Sequence, residues 1–322
     1  MGQSRLFALA LVTLAMAAVP AAAFDLQGHR GARGLAPENT LAAFARALEI
    51  GVTTLETDLA VTEDGVLVLS HDPVLNPDIV RGPDGKWLPA PGPAINTLTL
   101  AEIKRFDVGR LDPSSKYARQ FPGQKAVDGE RIPALTELFE LVRRSGKVVR
   151  FNIETKLSPD TPAQSPDPDT FARLVVEAIR AAGLTRHAAI QSFDWRTLLA
   201  AKKLAPEIET VCLTYEKTLQ DRAEGSGRSR SPWLAGLDAA DHGGSVPRLV
   251  AAGGCGTWSP AFRELSAAAA KEAHALGLKV VPWTVNARED MAHIIDIRAD
   301  GLITDYPDRA RAVMAEKGLP LP

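Results

Sequence analysis

The feature that most limits how this chain can fold is a regular alternation of short apolar runs with helix-like patterns. The segments that read as strands are 26–30, 53–58, 148–154, 188–193, 209–215, 255–259, 279–285 and 301–305. Apolar residues at helical spacing predict helices at 40–51 and near 134–145, 169–182, 194–204, 262–276, 288–297 and 308–317. Most strands are followed by a helix, so the sequence predicts an α/β protein with a (β/α)₈ TIM barrel.

A doubly wound open sheet is the structural alternative for such an alternation. In its dinucleotide-binding form, that fold carries a G-x-G-x-x-G fingerprint after the first strand. Here the first strand leads into GHRGARG at 28–34, which lacks that spacing. The comparison favours the barrel.

Two features interrupt the alternation after the second strand. The stretch LAVTEDGVLVLSHD carries Asp64-Gly65 between two apolar runs, which predicts a hairpin that returns His71 to the rim reached by Asp58. The following segment, 73–133, holds nine of the 23 prolines and has little periodicity, so long helices are excluded there. We expect an insertion folded over the mouth of the barrel.

The N-terminal residues 1–23 have the pattern of a secretory signal peptide. Arg5 precedes an apolar run, and the small residues Ala21 and Ala23 predict cleavage before Phe24. The barrel domain would then be residues 24–322, in a periplasmic or secreted protein. The alternative is a membrane anchor, but the apolar part is shorter than the roughly 20 residues that a span needs, so we expect no stable anchor.

Charge and cysteine content limit the possible partners. The net charge is −2, which does not indicate binding to nucleic acid, and the oligomeric state stays open. Cys212 and Cys255 are the only cysteines, and they could pair in an oxidising compartment. Because both lie in apolar, strand-like contexts, the sequence favours two buried thiols.

Acidic side chains end two of the predicted strands. Glu56 and Asp58 are separated by one residue, so their side chains share one face of the second strand. Glu154 ends the next strand of the barrel. Three carboxylates that converge at the mouth suit one divalent cation, Ca²⁺ or Mg²⁺, although pairing with Arg and Lys is the alternative.

Two histidines end strand-like runs at the same rim. His29 and His71 could act as general base and general acid near neutral pH. Arg30 and Lys156 bring positive charge that could hold phosphate oxygens, although the lysine could simply neutralise the acidic residue beside it. Trp283 could line the pocket wall, and barrel-core packing explains it nearly as well.

Six motifs follow one another from residue 29 to 307: HRGARGLAPENTLAAF, LETDLAVTEDGVLVLSHDP, NIETK, QSFDW, VPWTVN and DGLITDYP. In this order they resemble the glycerophosphodiester phosphodiesterases, within the barrel-shaped phospholipase-C-like phosphodiesterases. The resemblance implies metal-dependent hydrolysis of small glycerophosphodiesters to glycerol 3-phosphate and an alcohol such as choline or ethanolamine. It also implies roles for single residues: acid and base for His29 and His71, metal ligands for Glu56, Asp58 and Glu154, phosphate contacts for Arg30 and Lys156.

Other functions stay open at this point. A lysophospholipase-D or sphingomyelinase-D-like activity on long-chain lipids would need an exposed apolar groove. A non-catalytic periplasmic receptor for phosphorylated polyols would not need the two histidines. Arg33 stands where the family often has a small residue, and it could crowd the pocket or add a phosphate contact.

Overall fold

The computed structural model describes residues 23–220 and 230–322 of the chain. The predicted signal peptide lies outside the described residues, except for Ala23. The strands are β1 (Asp25–Gly28), β2 (Thr54–Val61), β3 (Leu67–Leu69), β4 (Arg150–Thr155), β5 (Ala188–Ser192), β6 (Glu209–Thr214), β7 (Thr257–Pro260), β8 (Lys279–Val280) and β9 (Gly301–Thr304).

Eight of these strands are parallel and form a barrel, in the order β8-β7-β6-β5-β4-β2-β1-β9. Hydrogen bonds between the two end strands of this order close the ring: the Asp300 amide donates to Val280 and the Ile303 amide donates to Pro282, at 2.8 and 2.9 Å. The predicted (β/α)₈ barrel is confirmed. Strand β8 is shorter than the predicted 279–285, although the Val281 and Trp283 amides still donate to the Trp258 and Pro260 carbonyls of β7.

The helices follow the strands around the outside of the barrel. They are α1 (Leu41–Ile50), α2 (Leu100–Ile103), α3 (Leu135–Ser145), α4 (Pro168–Ala181), α5 (Trp195–Leu204), α6 (Glu216–Gln220), α7 (Val246–Ala252), α8 (Ala267–Ala275), α9 (Arg288–Asp296) and α10 (Pro307–Glu316). The sequence did not predict α6 or α7, although Ser245 followed by Pro247 is a recognisable helix start. None of the helices in the described ranges is long and apolar enough to cross a membrane.

Helix α1 shows how local chemistry sets an element that borders the site. Thr40 caps its first turn by accepting a hydrogen bond from the Ala43 amide, and Gly51 ends it with a φ of 91°. Phe44 and Leu48 face the barrel and are buried. Because the cap satisfies an otherwise unpaired amide, Thr40→Ala would cost about 1 kcal/mol.

Strand β3 pairs antiparallel with β2, with Leu59 opposite Leu69, and so forms the predicted hairpin. The segment 73–133 contains only one short α-helix, α2, and its apolar side chains form a small core of their own against the hairpin. At the mouth of the barrel, Gln124 donates to the Arg33 carbonyl and the Lys125 amide donates to the Leu35 carbonyl. The insertion therefore supports the loop that follows β1.

Side chains on the barrel strands alternate between two environments. Leu55, Phe151 and Ile190 point outward and are buried against the helices in the main hydrophobic core. Their neighbours Asn152 and Gln191 point into the barrel, where the Asn152 side chain donates to the Gln191 side chain at 2.9 Å. On β4 and β5 the inward side chains are thus polar below the mouth, whereas Val211 and Val281 make other parts of the interior apolar.

Cys212 and Cys255 form a disulfide, with their Cα atoms 5.8 Å apart. The sequence interpretation of two buried thiols was therefore wrong. Cys212 lies on β6, and Cys255 lies just before β7, the neighbouring strand. Strand pairing brings the two together across 43 residues, which apolar context alone does not reveal.

Candidate active site

Three carboxylates meet at the carboxyl ends of β2 and β4. The parallel register places Asp58 opposite Glu154, and Glu56 lies two residues earlier on the same face. One oxygen from each carboxylate lies within 4.8 Å of the other two, and all three residues are buried. Strand register alone therefore assembles the predicted cation site.

Neighbouring amides hold the Glu56 carboxylate in place. The Arg30 backbone amide donates to Oε2 at 2.9 Å, and the Gln191 side chain donates to Oε1 at 2.8 Å. Gln191 is itself oriented by Asn152. Each oxygen of Glu56 thus has a defined position before any ligand binds.

The Asp58 carboxylate is held on one side only. Its Oδ2 accepts a hydrogen bond from the Asn39 side chain at 2.9 Å. Its Oδ1 is buried and has no hydrogen-bond partner, although Lys156 Nζ lies 3.5 Å away. An unsatisfied buried carboxylate oxygen beside two further carboxylates is a donor set that a hard cation fits.

The charges around these carboxylates do not balance. Arg30 lies between Glu38 and Asp58, with its Nη1 2.6 Å from the first carboxylate and its Nε 3.1 Å from the second. Lys156 Nζ lies 2.7 Å from Glu154 Oε1. With Glu56 included, four buried carboxylates face two cations, so a bound divalent cation would neutralise the site.

The pKa values of the carboxylates reflect this excess of negative charge. Burial, with the neighbouring Asp58 and Glu154, raises the pKa of Glu56 well above its usual range. Burial also raises the pKa of Glu154 to about 7, although Lys156 opposes the shift. Burial disfavours the charged form of Asp58 as well, but Arg30 and Lys156 outweigh it and hold its pKa well below normal.

His29 lies at one side of the carboxylates, at the end of β1. Its Nδ1 is 2.7 Å from Asp305, and its Nε2 is 3.9 Å from Glu56. Asp305 also accepts hydrogen bonds from Arg33 at 2.8 and 3.0 Å and from Asn286 at 2.7 Å. Burial and the charge of Arg33 lower the pKa of His29 to about 4, with Asp305 opposing, so the imidazole is neutral at pH 7.

His71 lies at the other side, on the loop after the β2–β3 hairpin. Its Nδ1 is 2.9 Å from Asp72, whose other oxygen accepts a hydrogen bond from Asn76 at 2.6 Å. Burial lowers the pKa of His71, and the charges of Arg30 and Lys156 lower it further. Both histidines thus direct Nδ1 at a carboxylate and keep Nε2 for the site.

The loop after β1 has an unusual backbone. Arg30 and Asn39 have positive φ values of 50° and 53°, a conformation that side-chain-bearing residues adopt at a cost. Gly31 has a φ of 86°, and a Cβ there would lie 2.6 Å from the Ala43 carbonyl carbon. This glycine therefore lets the loop pack against helix α1.

The predicted site residues surround one cavity of about 170 Å³. Those that line it are His29, Arg30, Glu56, His71, Glu154, Lys156 and Trp283. Asp58 belongs to the carboxylate cluster but does not line the cavity. The guanidinium of Arg30 and the ammonium of Lys156 are engaged by carboxylates, and Trp283 faces the cavity with its indole N–H donating to the Ser259 carbonyl.

Sequence reasoning missed several residues that build this site. Asp305 follows the last strand, so the rule that flagged Glu154 at a strand end would also have found it. Asn39 is a residue type that suits a helix cap, yet it supports Asp58 while Thr40 takes the cap. Tyr117, on the insertion, accepts from Arg33 at 3.0 Å and donates to Glu38, and no sequence signal pointed to it.

Residues 29–309 match the glycerophosphoryl diester phosphodiesterase family. The chain belongs to this family. A glycerophosphodiester phosphodiesterase of Caldanaerobacter subterraneus is 30% identical, over 87% of this chain and 93% of its own. One of Bacillus subtilis is 27% identical, over 87% and 83%. The chain is therefore an enzyme of the phosphoric diester hydrolase class.

Solved structures agree with the fold. A Silicibacter pomeroyi protein, named provisionally as a glycerophosphoryl diester phosphodiesterase, superimposes with a TM-score of 0.81 at 32% identity, covering 92% of this chain and 95% of its own. A phosphodiesterase of Oleispira antarctica, solved in complex with the product sn-glycerol-3-phosphate, has a TM-score of 0.64 at 23% identity, covering 91% and 97%. The second likeness concerns the fold alone.

Proposed function

We propose that this protein hydrolyses glycerophosphodiesters to glycerol 3-phosphate and an alcohol, using one divalent cation and two histidines. The observation that carries the proposal is the arrangement around one cavity: His29 and His71, each with a carboxylate on Nδ1, flank a cluster of three buried carboxylates. Family membership and the named relatives support the reaction class. The glycerol 3-phosphate in the Oleispira structure supports a small-molecule ligand.

Glu56, Asp58 and Glu154 would hold the cation, because they supply oxygen ligands and an excess of negative charge. The absence of histidine and cysteine from this cluster favours Ca²⁺ or Mg²⁺ over zinc. When bound, the cation stabilises negative charge on the phosphate oxygens. Arg30 and Lys156 would add positive charge on the same side of the cavity.

The histidines would carry the protons. With Nδ1 directed at Asp305 or Asp72, each imidazole would have Nε2 available for the reacting phosphate. One histidine, neutral and unprotonated at Nε2, would take the proton of the attacking hydroxyl, and the other, as the imidazolium, would give its Nε2 proton to the leaving oxygen. The attacker is either water or the glycerol hydroxyl beside the phosphate, and the second route passes through a five-membered cyclic phosphate.

The test is release of glycerol 3-phosphate from glycerophosphocholine by the chelator-stripped protein, before and after addition of Ca²⁺ or Mg²⁺. We expect release only with the cation, and loss of release in His29→Ala. His293→Ala is the matched control, because His293 is exposed on helix α9 and does not line the cavity. Release that survives chelation, or that His29→Ala leaves intact, would contradict the proposal.

The pattern at 1–23 supports a further part of the proposal, export to the periplasm or beyond the cell. N-terminal sequencing of the protein made in a bacterial host checks it. A mature chain that starts at Phe24 is expected, and an intact Met1 in the purified protein would count against export.

A further inference from the structure

A second cavity, of about 210 Å³, opens beside the first at the mouth of the barrel. The two cavities share His71, Glu154, Lys156 and Phe193. The first continues past these residues toward Trp283, and the second continues toward the loop after β4. The reacting groups therefore lie where the two cavities meet.

The Phe193 ring lines both cavities, as one of the four shared residues. It packs edge-to-face against Tyr215 and Trp283, with ring centroids 5.3 and 5.2 Å away, and Lys156 Nζ lies 5.9 Å from its centre. A phosphodiester has the matching shape, because one phosphorus carries two alcohol groups that point in different directions. A phosphate at the shared residues would place one alcohol group on each side of Phe193.

The two cavities differ in chemistry. The first has the two guanidinium groups of Arg30 and Arg33 in its wall, together with the apolar Leu213, Trp283 and Ile303. The surface of the second is mainly non-polar as well, with Leu157 and Trp233 in its wall. Its remaining side chains beyond the shared ones are one aliphatic, one acidic and four neutral polar residues: Pro73, Asp72, Ser158, Thr161, Gln164 and Ser165.

This wall favours one class of alcohol. Among the described residues, the one lysine or arginine that lines the second cavity is the shared Lys156, which is paired with Glu154. Aromatic rings and a carboxylate attract an alkylammonium group, through cation–π and charge interactions. The four neutral polar side chains offer hydrogen bonds to a polyol and to an alkylammonium alcohol alike, so the aromatic rings and the carboxylate are what favour the cation.

We propose that the second cavity binds the leaving alcohol, and that Trp233 makes it selective for alkylammonium alcohols over polyols. The inference rests on the proposed hydrolysis of glycerophosphodiesters. It assigns to Trp233 a role in choosing among such substrates, separate from the proton chemistry of the histidines.

The test compares two substrates that share the glycerol 3-phosphate half: glycerophosphocholine and glycerophosphoglycerol. In Trp233→Ala, kcat/KM for glycerophosphocholine should fall about tenfold, which corresponds to about 1.4 kcal/mol, while kcat/KM for glycerophosphoglycerol changes less than twofold. Trp87→Ala is the matched control. Trp87 lines neither cavity and contacts Arg81 on the insertion, so this variant should leave the ratio of the two substrates unchanged.

A measurement on the unaltered protein covers the case in which Trp233→Ala fails to fold. The 3,3-dimethylbutyl ester of glycerol 3-phosphate has the shape of glycerophosphocholine without its charge, and its KM should be at least threefold higher. Equal KM values, or an equal effect of Trp233→Ala on both glycerol substrates, would overturn the inference but leave the proposed function standing. If the cation-loaded protein hydrolyses none of these esters, both fall.

Discussion

At the mouth of the barrel, His29 pairs with Asp305 and His71 pairs with Asp72, and we call these two pairs the His29 corner and the His71 corner. Both corners join an imidazole to a carboxylate, but their surroundings differ. The side chain of His29 is only 11% exposed, and its partner Asp305 is held by Arg33 and Asn286 as well. The side chain of His71 is 34% exposed, and its partner is the next residue in the chain, Asp72. One pair depends on the packing of the whole barrel, and the other on a single loop.

This difference distinguishes the catalytic role of each imidazole from the strength of the contacts that fix its position. If both histidines move protons, loss of either imidazole should be equally damaging. Loss of the supporting carboxylate should have unequal effects in the two corners, because only Asp305 is buried and also pairs with a second charged group, Arg33.

The largest effect is expected from removal of the imidazoles. His29→Ala and His71→Ala should each lower kcat for glycerophosphocholine by about 10²–10⁴-fold, since general acid–base catalysis contributes that much. Steady-state kinetics at saturating cation measures the fall, and calorimetric titration with Ca²⁺ shows whether the cation still binds. A fall of less than tenfold in either variant would remove that histidine from the proton chemistry.

A smaller and unequal effect is expected from the supporting carboxylates. Asp305→Asn should lower kcat about 100-fold, because the imidazole of His29 loses the acceptor that sets its tautomer. Asp72→Asn should cost about tenfold or less, because the pair on the loop is partly exposed. Equal losses in the two variants would contradict the comparison.

Asp305→Asn should also destabilise the fold, because it leaves the buried guanidinium of Arg33 without its carboxylate, at a cost of about 3 kcal/mol. The double variant with Arg33→Met removes that unpaired charge. It should recover most of the stability in urea unfolding but little of kcat. Recovery of both together would mean that Asp305 acts only on the fold.

The same contrast explains which parts of the site could be predicted from the sequence. Strand ends of a parallel barrel meet at one rim, so Glu56, Asp58 and Glu154 could be placed together from strand order alone. The partnership of His29 with Asp305 joins residues 276 positions apart, and it depends on β1 lying beside β9. The pairing of β1 with β9 arises when the barrel closes, and no local sequence pattern specifies it.

The misses in the fold have related causes. Asn39 and Thr40 both suit a helix cap, and contact with Asp58, a tertiary effect, decides between them. Cys212 and Cys255 meet because their strands are neighbours. The role of Tyr117 depends on how the insertion returns to the rim, which its proline-rich sequence does not specify.

A substrate whose leaving group needs no proton shows whether His29 and His71 have different roles in catalysis. The p-nitrophenyl ester of glycerol 3-phosphate releases a phenolate, so the histidine that protonates the leaving oxygen becomes dispensable. One of the two alanine variants, and not the other, should recover at least about tenfold relative to its rate on glycerophosphocholine. Recovery in both or in neither would contradict a division into one acid and one base.

The smallest effect is on stability against pH, and it arises from burial of the imidazoles. The pKa of His29 is about 4 in the folded protein, because burial and Arg33 disfavour the charged form, against about 6.5 in an unfolded chain. As the pH falls from 6.5 toward 4, the unfolded chain therefore takes up a proton that the folded protein does not, and stability is lost across that window.

In chelator, the melting temperature of the wild type should drop more steeply between pH 6.5 and 4.5 than that of His29→Asn, by about 2–4 °C. His71→Asn should flatten the curve less, because that side chain is one-third exposed and burial lowers its pKa against more solvent screening. Parallel curves for the wild type and His29→Asn would show that the His29 corner is open to water in solution, and the contrast between the corners would then fail at its physical basis.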